Sequence, residues 1–270
     1  MIYIIVKAGL CNQLFMIFAG ISYAIDNNMN YCIMKSTNIA KDYFNSFLLK
    51  LKNKLCDYKD NICDYKYNEI DFSYNEIPKK ENIIIEGFYQ SYKYFKNNYE
   101  YIKELLDINK KQEDIKNVYG YLFKNKSIAI HFRIGDYYGL QYYHPILRIT
   151  YYINSLRYLE SKLNIKDYNI YLFYQPTDKI IIDMYIIELK RLGYDNIYCI
   201  DDNIKDYDQL LIMSLCDNFI IANSTYSWFG AYLSTNKNKI VCYPSLWFGE
   251  GKNIKNTNDL FPPEWIKINV

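Results

Sequence analysis

Histidine and arginine are the scarce residues of this chain. Its 270 residues hold two histidines, His131 and His144, and four arginines (Arg133, Arg148, Arg157, Arg191) among 32 basic side chains. Its seven cysteines (Cys11, Cys32, Cys56, Cys63, Cys199, Cys216, Cys242) show no C-x-x-C spacing. So few imidazoles and such scattered thiols give no support for a zinc site. The odd cysteine count and the apolar settings predict reduced, mostly buried thiols in a cytoplasmic protein. Long apolar runs are missing too. Ile2–Val6 is too short for a signal-peptide core, and nothing reaches the length that spans a bilayer. The expectation is a soluble chain with no transmembrane segment, its peripheral association with a membrane surface and its oligomeric state left open. A net charge of +2 gives no case for bulk nucleic-acid binding. Glycine is sparse as well, and neither G-x-G-x-x-G nor a P-loop occurs.

Half of the residues are hydrophobic and 18% are aromatic, which is enough for a large core in one or two compact domains. Apolar runs at Ile2–Val6, Ile128–Phe132, Ile170–Tyr174 and Phe219–Ala222 read as buried strands, and Ile83–Glu86, Ile197–Ile200 and Ile240–Tyr243 as further strands. Helical patterns alternate with them at Leu14–Ile25, Tyr43–Asp57, Tyr92–Leu106, Tyr151–Leu163, Ile180–Leu192, Asp206–Cys216 and Trp228–Leu233. Tyr31–Met34 reads as a further strand, and 56–80 as irregular. Strands alternating with helices predict an α/β fold with parallel sheets. The charged stretch Ile108–Asn125 divides the chain into an N-terminal lobe, 1–125, and a C-terminal lobe with its tail, 126–270.

The stretch Ser127–Gly139 organises the rest. A buried strand breaks into His131, Arg133, Gly135 and Asp136, where the carboxyl end of a parallel strand meets ligands. His131 and Arg133 are two apart, which places imidazole and guanidinium on one strand face. A lysine-rich composition makes each retained arginine informative. A planar five-donor guanidinium binds a phosphate in a way that a point charge does not. The second feature is Asn223-Ser224-Thr225-Tyr226-Ser227, where a buried strand opens into small polar residues at a helix start, a place suited to an anion. Asn12 and Gln13 follow the first strand in the same way, as ligand contacts or helix caps. Asp206-Tyr207-Asp208 fits a metal-holding D-x-D pattern, but its place at a helix start already gives it a capping role.

Taken together, these segments resemble family-eleven glycosyltransferases, the α-1,2-fucosyltransferases that use GDP-fucose. The resemblance rests on Ala8-Gly9-Leu10-Cys11-Asn12-Gln13-Leu14-Phe15; on Glu86 through Phe95, with Gln90 inside it; on His131 through Tyr137, with His144 and Tyr151-Tyr152 behind; on Met213–Cys216 with Ile221–Ala231; and on Trp247-Phe248 with Pro262 through Ile266. Ala8 and Cys11 stand where the family usually has glycine, and Ile134 where it often has a second arginine.

The resemblance implies a GT-B fold, two Rossmann-like lobes with a cleft between them. It also implies inverting, metal-independent transfer of L-fucose from GDP-fucose to a galactoside hydroxyl. No cofactor is then expected beyond the donor, and the partners are a nucleotide-sugar donor and a glycan acceptor. Arg133, Asp136 and Asn12 are the expected catalytic residues. His131, Arg133, Asn223, Ser224, Thr225, Ser227, Gln13, Gln90 and His144 are expected to bind substrate. Two alternatives stand beside this reading: another GDP- or UDP-sugar donor on the same fold, and a non-catalytic sugar-binding relative.

Overall fold

The structure, a computed structural model, describes residues 1–57, 63, 65–251 and 256–270. The parts of the 56–80 stretch and of the C-terminal tail that fall in 58–62, 64 and 252–255 lie outside the described residues. The chain forms two compact α/β units, Met1–Lys110 with Ile254–Pro263, and Lys111–Asn253 with Glu264–Val270. The change of unit at 110/111 falls inside a helix, α3 (Ile108–Tyr119).

The first unit is built on a four-stranded parallel sheet in the order β2-β1-β4-β3, from β1 (Ile2–Ala8), β2 (Tyr31–Ile39), β3 (Lys66–Asn68) and β4 (Ile83–Glu86). Ile2 and Ile4 of β1 face Ile83 and Ile85 of β4 in register. Helix α1 (Leu10–Asp26) is buried along almost its whole length, as an apolar run of that kind requires. It starts four residues earlier than its pattern suggested. Gly9 serves as N-cap, and the amide of Gln13 donates back to the Gly9 carbonyl at 3.0 Å. Asn12 and Gln13 therefore lie in the first helical turn and not in a loop, and neither is the cap.

The chain makes the turn into α1 with Ala8 at φ 61°. A Cβ in the left-handed region costs roughly 1–2 kcal/mol. This gives a physical reason for the glycine that the family usually places here. Ala8→Gly is expected to be neutral or stabilising by up to about 1 kcal/mol, where Ala→Gly ordinarily destabilises. Slower amide exchange of 1–26 in the variant would show the gain, and a loss above about 1 kcal/mol would contradict it.

Two expected helices are not continuous. Within 43–57 the chain makes turns and a 3-10 segment, Leu49–Lys54, that still bury Tyr43, Phe44, Phe47, Leu48 and Leu51. The carboxylate of Asp42 accepts from the Phe44 amide at 2.9 Å, and the Leu48 amide returns to the Tyr43 carbonyl. Asn45 and Ser46 favour such local bonding over an α-helix. In 92–106 a 3-10 turn, Tyr92–Tyr94, precedes α2 (Tyr99–Leu105). The break comes at Asn97-Asn98, where the Asn98 side chain donates to Ser22 and Asp26 of α1 at 2.9 and 2.7 Å. The strand β3 lies in the stretch read as irregular. Cys32 and Cys56 form a disulfide, so the expectation of wholly reduced thiols is corrected at this pair. The parallel bridge of Ile33 with Leu55 brings the two cysteines together, a contact across 24 residues that no spacing rule reveals.

The second unit has a six-stranded parallel sheet, β10-β9-β8-β5-β6-β7. Its strands are β5 (Ser127–His131), β6 (Asn169–Phe173), β7 (Ile197–Cys199), β8 (Asn218–Ile220), β9 (Val241–Pro244) and β10 (Ile266–Ile268). The helices are α4 (Ile149–Glu160), α5 (Lys179–Arg191), α6 (Asp206–Ser214) and α7 (Thr225–Tyr232). Every residue of β5 is buried, as its gapless apolar run requires. Tyr151 of α4 donates to the Ile221 and Cys242 carbonyls at 2.7 and 3.2 Å, which ties that helix to the end of β8 and to β9. Helix α5 gives way to Gly193 at φ 90°, the expected stop. Lys205, and not Asp206, is the N-cap of α6. The tail carries β10, which its sequence pattern did not announce.

Candidate functional site

Strand order decides which loops meet. In the second unit the order reverses between β5 and β8, since β6 and β7 lie on one side of β5 and β9 and β10 on the other. The crevice outside the carboxyl ends at such a reversal is where open α/β sheets bind ligands. The segments after β5 and β8 are 132–140 and 221–224, which hold the two features singled out in the sequence.

His131 ends β5 and is 5% exposed, with Nδ1 3.0 Å from the Ser227 hydroxyl. Its ring lies 5.4 Å from that of Tyr226. Burial, aided by the Arg133 charge, pushes the imidazole down to about 3, so it is neutral over the physiological range. The unfolded chain takes up the proton near pH 6.5 and the folded one only near 3. Stability therefore falls as pH drops through this window, by about 1.4 kcal/mol per pH unit. Urea unfolding of the second unit between pH 7 and 4 should show this slope, and His131→Leu should flatten it. An unchanged slope in the variant would refute the assignment. All three tryptophans (Trp228, Trp247, Trp265) lie in this unit, so their fluorescence follows it selectively.

Arg133 lies beyond the end of β5, which corrects the shared strand face. The Phe132 amide still bonds to the Phe173 carbonyl at 2.8 Å, and the chain then leaves the sheet for a 3-10 segment, Gly135–Leu140. The Arg133 guanidinium pairs with the Asp136 carboxylate through one terminal nitrogen and lies 5.6 Å from the Tyr137 ring centre. Its Nε is buried with no partner among the described residues. Tyr137 donates to the Asn223 carbonyl at 3.1 Å and stacks on His144 at 4.9 Å, and burial pushes its hydroxyl up to about 12. His144 also meets the Phe248 ring at 6.1 Å.

On the β8 side, Asn223 donates to the carbonyls of Pro145 and Trp247 at 2.9 and 3.3 Å, and its side-chain carbonyl is buried without a partner among the described residues. Helix α7 starts at Thr225, three residues earlier than its pattern suggested, with Ser224 as N-cap accepting from the Tyr226 amide at 3.3 Å. Ser227 sits in the first turn, bonded to His131 and to the Ala222 and Ser224 carbonyls. Thr225 is half-buried at the first helical position. Tyr226 donates to the Asp206 carbonyl at 2.7 Å. The second unit thus brings together His131, Arg133, Asp136, His144, Asn223, Ser224, Thr225 and Ser227.

The first unit repeats the logic. Its order reverses between β1 and β4, and Asn12 follows the one and Gln90 the other. The Gln90 amide donates to Asn12 Oδ1 at 3.0 Å. Gln13 is fully buried, and its amide donates to the Ala8 and Lys41 carbonyls at 2.9 and 3.1 Å.

Glu69 accepts from the Phe88 amide at 2.6 Å, and so holds the loop that carries Gln90. Burial pushes its carboxyl up to about 7. It sits in a tyrosine-rich stretch without period, so no local signal marked it. Asp178, in the turn after β6, likewise carries no local signal and lies against backbone amides of the Arg133 loop.

Residues 190–269 match the sequence profile described as glycosyl transferase family 11. The O-antigen biosynthesis glycosyltransferase WbnK of Escherichia coli is 30% identical over 180 residues, which is 61% of this chain and 54% of that protein. An alpha-1,2-colitosyltransferase of Escherichia coli is 29% identical over 185 residues, 67% of this chain and 61% of that protein. The chain thus spans about half to three-fifths of the length of these relatives. Among solved structures, the NodZ alpha-1,6-fucosyltransferase co-crystallised with GDP superposes with a TM-score of 0.51 over 86% of this chain and 92% of that one, at 10% identity. NodZ from Bradyrhizobium without a named ligand gives 0.52. At this identity the likeness concerns the fold alone, which is of the GT-B type.

Proposed function

We propose that this protein, whose residues 190–269 match the profile of glycosyl transferase family 11, transfers a sugar from a GDP-linked donor to a glycan hydroxyl. The observation that carries the reading is the convergence of Arg133, His131, Ser224 and Ser227 at the β5/β8 reversal.

Departure of GDP places growing negative charge on its terminal phosphate. The Arg133 guanidinium and the amides that open α7 supply preorganised donors for that charge, so no metal ion is called for. Asp136 holds Arg133, and Tyr137 ties the Arg133 loop to Asn223. His131, neutral and bonded to Ser227, acts as a hydrogen-bonding partner and not as a cation. The acceptor sugar is assigned to the first unit, to the polar pair Asn12 and Gln90 with Gln13 behind it. L-Fucose joined to a galactoside in α-1,2 linkage, with inversion, is the donor and product that the motif resemblance supports. A different GDP-linked deoxysugar is the second reading, favoured by the colitosyl-transferring relative.

The test is calorimetric titration with GDP, GDP-fucose, GDP-mannose and UDP-sugars, in EDTA and with added magnesium. GDP binding that survives EDTA, with GDP-fucose bound and turned over on a galactoside, supports the reading. Failure of GDP to bind, or binding only with metal, would sink it. Preference for UDP would move the protein to another donor class.

A further inference from the structure

The turn after β6 holds a carboxylate that the mechanism above does not use. Asp178 is 2% exposed, and its carboxylate faces the backbone amides of Gly135, Ile134 and Gln175. The Thr177 hydroxyl donates to its Oδ1 at 3.3 Å, while Oδ2 is buried with no partner among the described residues. A carboxylate buried to this degree is costly unless polar groups surround it; two of the four that it meets belong to its own turn and two to a neighbouring loop.

That loop is built around the contact. Ile134 has φ −126° and ψ −60°, outside any regular element, and the 3-10 segment begins directly after it. Amides at the start of such a segment have no carbonyl of their own to meet. Asp178 meets two of them from a different strand's turn. The fit is close: a Cβ on Gly135 would lie 2.7 Å from the Thr177 hydroxyl and 2.8 Å from Asp178 Oδ1. A glycine is therefore needed here for the approach of the two loops. Arg133 directly precedes these two amides, so its backbone is set where the Asp178 carboxylate holds theirs.

We propose that Asp178 is a positioning residue for nucleotide-sugar binding, holding the Ile134–Gly135 amides so that the Arg133 guanidinium meets the diphosphate. This rests on the reading of Arg133 as the phosphate ligand. Asp178→Ala is expected to weaken GDP binding ten- to a hundredfold in the full chain, and Asp178→Asn, whose amide oxygen accepts from the same amides, to stay within about threefold of wild type. In the Arg133→Ala background, Asp178→Ala should add less than about threefold, because both changes remove one contact.

Independent, multiplying losses in the double variant, or full GDP affinity in Asp178→Ala, would overturn the proposal. Amide exchange of 132–140 gives a readout that needs no nucleotide. Protection of Ile134 and Gly135 should be lost in Asp178→Ala and kept in Asp178→Asn, and unchanged exchange in the alanine variant also overturns it. Gly135→Ala, which presses on the same carboxylate from the opposite side, should reproduce the loss of protection if Asp178→Ala fails to fold. If wild type binds no GDP, the phosphate reading fails by itself, and the exchange result still decides whether Asp178 holds the loop.

Discussion

Replacing Arg133 by alanine is expected to weaken GDP binding about a hundredfold and to slow transfer from a GDP-linked sugar by at least that factor. A charge-assisted contact to a developing charge is worth roughly 3 kcal/mol, and a tenfold change corresponds to about 1.4 kcal/mol. Arg133→Lys should recover only part of the loss, because an ammonium supplies charge but not two parallel donors. The comparison with Asp136→Asn separates two roles for the carboxylate. The Arg133–Asp136 pair is partly exposed, with Asp136 at 46% side-chain exposure. As a holder of the guanidinium it should contribute about 1 kcal/mol or less, so Asp136→Asn should lose less than about tenfold in GDP affinity and in rate. A hundredfold fall in turnover at unchanged GDP affinity would make Asp136 the base instead. Arg133→Ala with wild-type GDP affinity would remove the phosphate site on which the proposed function stands.

Trp228→Ala is expected to cost about 3–5 kcal/mol of stability in the second unit, read as a lower urea midpoint by fluorescence of the two remaining tryptophans. Trp228 is fully buried in α7. Its ring stacks on Tyr232 at 4.5 Å, meets Phe229 edge-on at 5.1 Å and lies 5.5 Å from Trp265, just before β10. Removing it opens a large cavity and loosens both the helix that carries Ser224 and Ser227 and the terminal strand beside it. Trp228→Phe should lose less, about 1–3 kcal/mol, since a smaller ring keeps part of the packing. A loss below about 1 kcal/mol in the alanine variant would mean that the site closes around the cavity and that this cluster does not anchor α7.

Gapless apolar runs marked β1, β4, β5, β6, β8 and β9, because a strand buried on both faces tolerates few polar positions; β3 and β10, short and half-exposed, carry no such run. Scarcity marked His131 and Arg133, and small polar residues after a strand marked Asn223 through Ser227. Helix limits were less legible. Asn98 breaks its helix because its amide is used by α1, and α1 starts at Leu10 because one strained residue, Ala8, completes the turn. Both causes are tertiary or conformational and leave no period in the sequence.

The sequence by itself singled out the candidate side chains; the tertiary structure alone decided which of them meet. Strand order set the reversals at β5/β8 and β1/β4 and so joined His131 to Ser227 and Asn12 to Gln90. Asp178, Glu69 and the Cys32–Cys56 bond likewise became visible only in the fold. A buried carboxylate is justified by backbone amides brought to it from another loop, and the disulfide by an isolated bridge that sets Leu55 beside β2. Local spacing records neither.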